Sequence, residues 1–388
     1  MGAGRRSSAS PGGGALPALT SIRFIAAMTV VLSHYAELGL LPMNRALFAF
    51  VDGGRPAVSL FFVLSGFILT YTYRESLASG GPRAFYAARV ARIYPVVLLG
   101  LALVAPVTAW LLYTGDAARL LDWFALKRSV QLSLVLSLLC QLLLLNAWFP
   151  FAAINQPWNG PSDSVSCEAF FYALFPWLLR KMGGGSIRGV VMACVAVWIA
   201  QGVGIVLIQA SLPASRSGFL VVGLPLLRIA EFVLGIGAAL VFMSMGERCA
   251  HRHAFGMSFV SVSLVAIVAL AAWQPLSPVF YVEAPFFALL ILGLALLERP
   301  VIGVLNGRAL VKLGEASYSL YLIHVPMAYI ALLLGFDRAN GWMVFVFALW
   351  ASIVVFQFYE EPMRRAIRSR LSGKNAPAFT PPLREARD

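Results

Sequence analysis

Residues 19–35 read Leu19-Thr20-Ser21-Ile22-Arg23-Phe24-Ile25-Ala26-Ala27-Met28-Thr29-Val30-Val31-Leu32-Ser33-His34-Tyr35. The run is apolar enough to lie in lipid, yet it carries an arginine and a histidine. A helix needs about 20 apolar residues to cross a bilayer. In hydrocarbon a segment must close its own backbone hydrogen bonds, so helix is the default. A strand barrel alternates polar and apolar positions, and this run does not. At 3.6 residues per turn, Arg23 and His34 fall within about 20° of one helix face, with His34 roughly 16 Å farther along the axis.

Comparable apolar runs lie near 18–36, 57–73, 93–113, 165–179, 187–210, 220–243, 256–274, 278–297, 315–335 and 341–359, with an eleventh near 130–147. The chain is 60% hydrophobic and 12% charged, with a mean hydropathy of +0.81. Soluble domains carry about 25% charged residues. The expectation is an all-α, polytopic transmembrane bundle of about ten spans, with 130–147 as a re-entrant or interfacial segment. If 130–147 does not cross, 22 of the Lys and Arg residues lie inside and 7 outside; letting it cross reverses the bias, against the positive-inside rule. Both termini are therefore expected in the cytoplasm, in a multi-pass protein of the inner (plasma) membrane. The transmembrane domain is expected over 18–368, flanked by disordered cytoplasmic tails at 1–17 and 369–388 that are rich in Gly, Ser, Pro and charge.

The net charge of +13 sits between apolar runs. Topology and anionic headgroups explain it, so a nucleic-acid partner is not expected and membrane lipid is. Cys140, Cys167, Cys194 and Cys249 are scattered without a CxxC pair, and the four histidines form no HExxH pattern, so no metal site is expected.

Ionisable residues within spans are costly and mark functional candidates. His34 can take a proton from a hydroxyl as a general base, or can simply bond a neighbouring helix. Arg89 and Arg92 share a helix face and can clamp phosphate, or can anchor a span end. Glu168 can orient the His34 imidazole, or can stabilise a helix N-terminus. Arg228 and Glu231 pair at i, i+3. His324, read alone, is a structural hydrogen-bonding residue, and Glu360 to Arg365 form a solvated end with local ion pairs.

Six pieces then occur in order: Leu19-Thr20-Ser21-Ile22-Arg23-Phe24 with His34 after it; Val58-Ser59-Leu60-Phe61-Phe62-Val63-Leu64-Ser65-Gly66-Phe67; Arg89-x-x-Arg92; Ser164 to Tyr172; Ser317 to His324; and Glu360-Glu361-Pro362. In this order, across residues 17–368, they resemble the acyltransferase 3 family of bacterial membrane acyl-CoA-dependent O-acyltransferases. The resemblance implies that Arg23 and His34 are essential, with His34 catalytic and Glu168 beside it. It implies acyl-CoA contacts from Arg23, Arg89 and Arg92, and acceptor contacts from Ser164, Ser166, Tyr172 and His324. The sequence departs from the family pattern at Asp163, where a Trp is usual, at Cys167, where a Val is usual, and at Ala169-Phe170.

The implied reaction moves an acyl group, acetyl in the first instance, from acyl-CoA to a hydroxyl of a carbohydrate-like acceptor such as an exopolysaccharide or O-antigen precursor. Acyl-CoA is a donor substrate, and no cofactor is implied. Tailoring of a macrolide or a lipid is the alternative within the family. A multi-span transporter, or a membrane scaffold without chemistry, is the alternative outside it; a transporter often shows paired repeats, and none is visible here.

Overall fold

The computed structural model describes residues 16–44, 54–245, 251–273, 279–297 and 302–372. Among these residues it is all helical, with no strand. In chain order the helices are α1 (Pro17–Glu37), α2 (Arg55–Gly80), α3 (Arg83–Thr114), α4 (Ala117–Phe124), α5 (Val130–Leu142), α6 (Ala152–Asn155), α7 (Ser162–Gly183) and α8 (Ile187–Ser211). They continue with α9 (Ala214–Gly223), α10 (Ile229–Met245), α11 (Arg252–Trp273), α12 (Val279–Leu296), α13 (Arg308–Glu315), α14 (Ser317–Leu333), α15 (Gly341–Val355) and α16 (Glu361–Ser372). A π-helical turn, Phe356–Glu360, joins α15 to α16.

Among the described residues, six helical stretches are long and apolar enough to cross a membrane: α1, α2, α3, α8, α11, and α15 continued to Leu371. A seventh exists if α13 and α14, bent by 61° at their junction, count as one span. The expectation of about ten spans is corrected by this count, and the reasons are local. The 165–179 run lies in α7, which carries Asp163, Glu168, Arg180 and Lys181. The 220–243 run breaks around Pro225 and leaves α10 with 17 residues, about 25 Å of helix against about 30 Å of hydrocarbon. The 278–297 run likewise leaves 17 apolar helical residues, Phe280–Leu296. The 130–147 run gives α5, whose 13 residues make about 20 Å, too short to cross; its Leu132, Val135, Leu136 and Leu139 are exposed. Helix α16 runs on to Ser372, past the domain end expected at 368; residues 1–15 and 373–388 of the expected tails lie outside the described residues.

Burial separates the centre from the rim. In α1, 61% of the apolar stretch is buried, against 17% in α8 and 11% in α11. Helix α1 is therefore central, and α8 and α11 turn valines and isoleucines such as Val195, Ile199, Val206 and Val265 outward. Outward apolar faces fit lipid as the solvent. Small residues let backbones meet where helices cross. A Cβ on Gly66 of α2 would run into the Phe232 carbonyl of α10, and one on Gly235 of α10 into the Val63 carbonyl of α2. Pro95 and Pro106 lie inside α3. Neighbours hold the backbone there: Tyr318 donates to the Ile93 carbonyl at 3.1 Å and Tyr359 to the Pro95 carbonyl at 3.1 Å.

Candidate active site

Among the described residues, one cavity lies at each end of α1 and α2. The first, about 510 Å³, reaches His34 and Glu37 near the end of α1 and Arg55 at the start of α2. The second, about 500 Å³, reaches Thr20 and Arg23 at the start of α1 and Tyr73 near the end of α2. Arg23 and His34 thus share one helix but serve different cavities. Val58, Phe62, Ser164 and Tyr321 line both, so these four side chains form the wall between them.

His34 Nδ1 and His324 Nε2 are 2.8 Å apart. The other nitrogen of His324, Nδ1, lies 3.2 Å from the Leu320 carbonyl oxygen. A carbonyl can only accept, so His324 Nδ1 carries a proton and a neutral His324 offers a lone pair at Nε2. His34 Nδ1–H donates to that lone pair. The unprotonated nitrogen of His34 is then Nε2, a proton acceptor on a residue that lines the first cavity. His324 is fully buried, and Tyr35 donates to its backbone carbonyl at 3.1 Å. The first cavity is otherwise aromatic and polar, with three carboxylates against Arg55 and Arg228. Trp123 and Tyr329 stack with ring centres 4.8 Å apart, and Glu37, Asp122 and Asp163 join the lining. Arg228 also lines it, but both carboxylate oxygens of Glu231 hold its Nε at 3.0 Å.

The second cavity is basic. Six arginines line it, Arg23, Arg89, Arg92, Arg364, Arg365 and Arg368, against three glutamates, Glu168, Glu315 and Glu361. Arg89 donates to the Tyr73 hydroxyl at 2.9 Å and lies over the Tyr73, Phe85 and Tyr172 rings, and its Nε is buried without a hydrogen bond. Arg92 is committed to an ion pair with the buried Glu360, which also accepts from Ser319 at 2.6 Å. The π-helical turn allows this. Its wider winding places Glu360 inward on Arg92, while Glu361 follows on the cavity wall and pairs with Arg364 and Arg365.

Several sequence expectations change place. Glu168, expected beside His34, lines the arginine cavity and accepts from Tyr172 at 2.9 Å; the partner of His34 is His324. Ser164 is in the wall, where it donates to the Pro161 carbonyl at 3.0 Å and meets the Tyr321 hydroxyl at 2.9 Å. Ser166 reaches neither cavity: it is fully buried and donates to the Leu144 carbonyl at 2.6 Å. Tyr172 lines the arginine cavity. Arg364 and Arg365 of α16, expected at a solvated end, join that cavity together with Arg368. Their spacing carried the signal, since Arg364 and Arg368 share a helix face. Trp123, Asp122 and Tyr329 had no such signal.

Fold and site together define an integral membrane protein with a two-chambered interior, histidine on one side of a thin wall and clustered arginine on the other. The acyltransferase domain family matches residues 16–359, nearly all of the described chain, and the protein belongs to this acyltransferase 3 family. It is similar to acyltransferase MdmB of Streptomyces mycarofaciens, 31% identical over 327 residues that cover 80% of this chain and 78% of that protein. It is also similar to protein 2 in the picA locus of Rhizobium radiobacter, 37% identical over 113 residues that cover 27% of this chain and 54% of that protein. No solved structure gives a significant match. The protein is a membrane acyltransferase.

Proposed function

We propose that this enzyme transfers an acyl group, acetyl in the first instance, from acyl-CoA to a hydroxyl of a glycan or glycosylated acceptor. The observation that carries the reading is the 2.8 Å contact of His34 Nδ1 with His324 Nε2, which leaves His34 Nε2 to accept a proton, on a residue whose cavity backs onto an arginine-lined one. The donor's phosphates enter the arginine cavity, where guanidiniums offer paired hydrogen bonds. The pantetheine arm runs along α1 and brings the thioester to the wall. The acceptor lies in the aromatic and polar cavity, its sugar ring on the Trp123–Tyr329 platform and its hydroxyls toward the carboxylates.

The acceptor oxygen attacks the thioester carbonyl while its proton passes to His34 Nε2. The tetrahedral intermediate collapses, the C–S bond breaks, and the CoA sulfur takes the proton back. His324 supports this by holding His34 Nδ1–H, which fixes the tautomer and steadies the imidazolium, the orienting task that sequence gave to Glu168. In this reading Glu168 serves the donor side through Tyr172. The arginine end faces the cytoplasm, where acyl-CoA is found, and the membrane is the plasma membrane.

The test uses inverted membrane vesicles from cells that make the acceptor, supplied with radiolabelled acetyl-CoA. Label should enter alkali-labile esters of glycan with the native enzyme and not with His34→Ala at equal membrane levels. Transfer by His34→Ala at the native rate refutes the proposal.

A further inference from the structure

We propose that the wall between the cavities, formed by Val58, Phe62, Ser164 and Tyr321, selects the acyl chain by length. The inference rests on the donor-and-acceptor reading above. His34 lines one cavity and the cluster of six arginines lines the other, and these four residues are the lining the two share. A thioester anchored by its phosphates in the arginine cavity has to pass these four side chains to reach the cavity of His34, so the carbons beyond the carbonyl come up against them.

Three of the four are held. Phe62 is buried edge-on against Phe171, with ring centres 5.1 Å apart, and under the Arg228 guanidinium at 5.0 Å. Arg228 is itself fixed by Glu231 and by the Ser59 hydroxyl at 2.9 Å. Ser164 has one hydroxyl proton. It goes to the Pro161 carbonyl, which can only accept, so Tyr321 O–H donates to Ser164 Oγ and is locked in turn. Phe61 and Tyr321 also meet in a T-shaped contact, 5.9 Å between ring centres. Val58 is only partly buried. It is the wall member whose bulk can change without dismantling a hydrogen bond or an aromatic stack. Packed interiors register volume changes of a single methylene, and one methylene in an apolar pocket is worth about 10- to 200-fold in discrimination.

The experiment needs no acceptor. Purified enzyme in lipid nanodiscs is titrated with S-alkyl-CoA thioethers of two, four and six carbons, which cannot react, against radiolabelled acetyl-CoA. Val58→Ala should strengthen six-carbon binding relative to two-carbon binding by about tenfold, and Val58→Leu should weaken it in the same measure. Size exclusion and thermal melting report whether each variant is folded. The two substitutions bracket the native bulk from both sides, so either folded variant decides the matter. A length preference that neither substitution moves overturns the inference. Failure of the native enzyme to bind acetyl-CoA at all instead overturns the donor reading on which it rests.

Discussion

In the proposed mechanism His324 acts through His34; it lines neither cavity, which makes that role separable by mutation. His324→Ala removes the acceptor for His34 Nδ1–H and frees the ring to rotate or change tautomer. We expect the rate of transfer at saturating donor to fall about 10²-fold, the lower range for a positioned acid or base, with little change in the KM for acyl-CoA. His324→Gln should recover part of the loss, because an amide oxygen can accept the same proton. Steady-state kinetics of the three proteins decide it, and a fully active alanine variant excludes the dyad. Sequence pointed to His34 through its spacing from Arg23, but its partner lies 290 residues away and only folding joins them. The α7 face is legible in the spacing of its residues. Ser164, Glu168 and Tyr172 recur every four residues and share a face toward the cavities, whereas Ser166, two residues on from Ser164, points about 200° away and bonds the Leu144 carbonyl instead. Glu168 stands one helical turn beyond Ser164, and that single turn carries it across the wall to the arginine side.

Between helices, the same chain relies on close backbone approach and on charge. Gly235→Ala would place a methyl group against the α2 backbone at the Val63 carbonyl. Overpacking of this kind costs about 1–3 kcal/mol, so we expect a lower melting temperature in detergent; unchanged melting would show that α2 and α10 can part without penalty. The prediction for α16 concerns binding. Arg365 and Arg368 line the arginine cavity, and hydrogen bonds to charged groups contribute about 1.5–3 kcal/mol each. The double alanine variant should raise the KM for acyl-CoA about tenfold or more while leaving the maximal rate near native, and the native enzyme should lose donor affinity as salt screens the same contacts. An unchanged KM assigns these arginines to the membrane surface alone. The span count also failed at this scale. Apolar runs identify helices, but α7 and α10 pack inside the bundle, where polar side chains find partners and a full bilayer length is not required. Arg228, Glu231 and Ser59 satisfy one another there, so charge in such a helix reports a protein environment rather than an end.

For the whole molecule, the arrangement constrains which side each end occupies. The start of α1 contributes Thr20 and Arg23 to the arginine cavity, and α16 contributes Arg364, Arg365 and Arg368 to the same cavity. The two helices at the ends of the described chain therefore meet at one face of the bundle. The far end of α1 contributes His34 and Glu37 to the other cavity. Six arginines line the cavity at that face, and segments rich in Lys and Arg resist translocation. We expect a fluorescent reporter that matures only in the cytoplasm to light up when fused after residue 388, and a periplasm-dependent phosphatase fused at the same place to stay inactive. A cysteine substituted for Glu37, at the opposite end of α1, should react in intact cells with a thiol reagent that cannot cross the membrane, on a background lacking the native cysteines. An active phosphatase fusion would put the arginines outside, away from acyl-CoA, and a donor could no longer enter as proposed. The fold would survive that result and the direction of transfer would not, because two cavities separated by one thin wall make a transmembrane transfer site only when the phosphate-binding side opens where the donor is found.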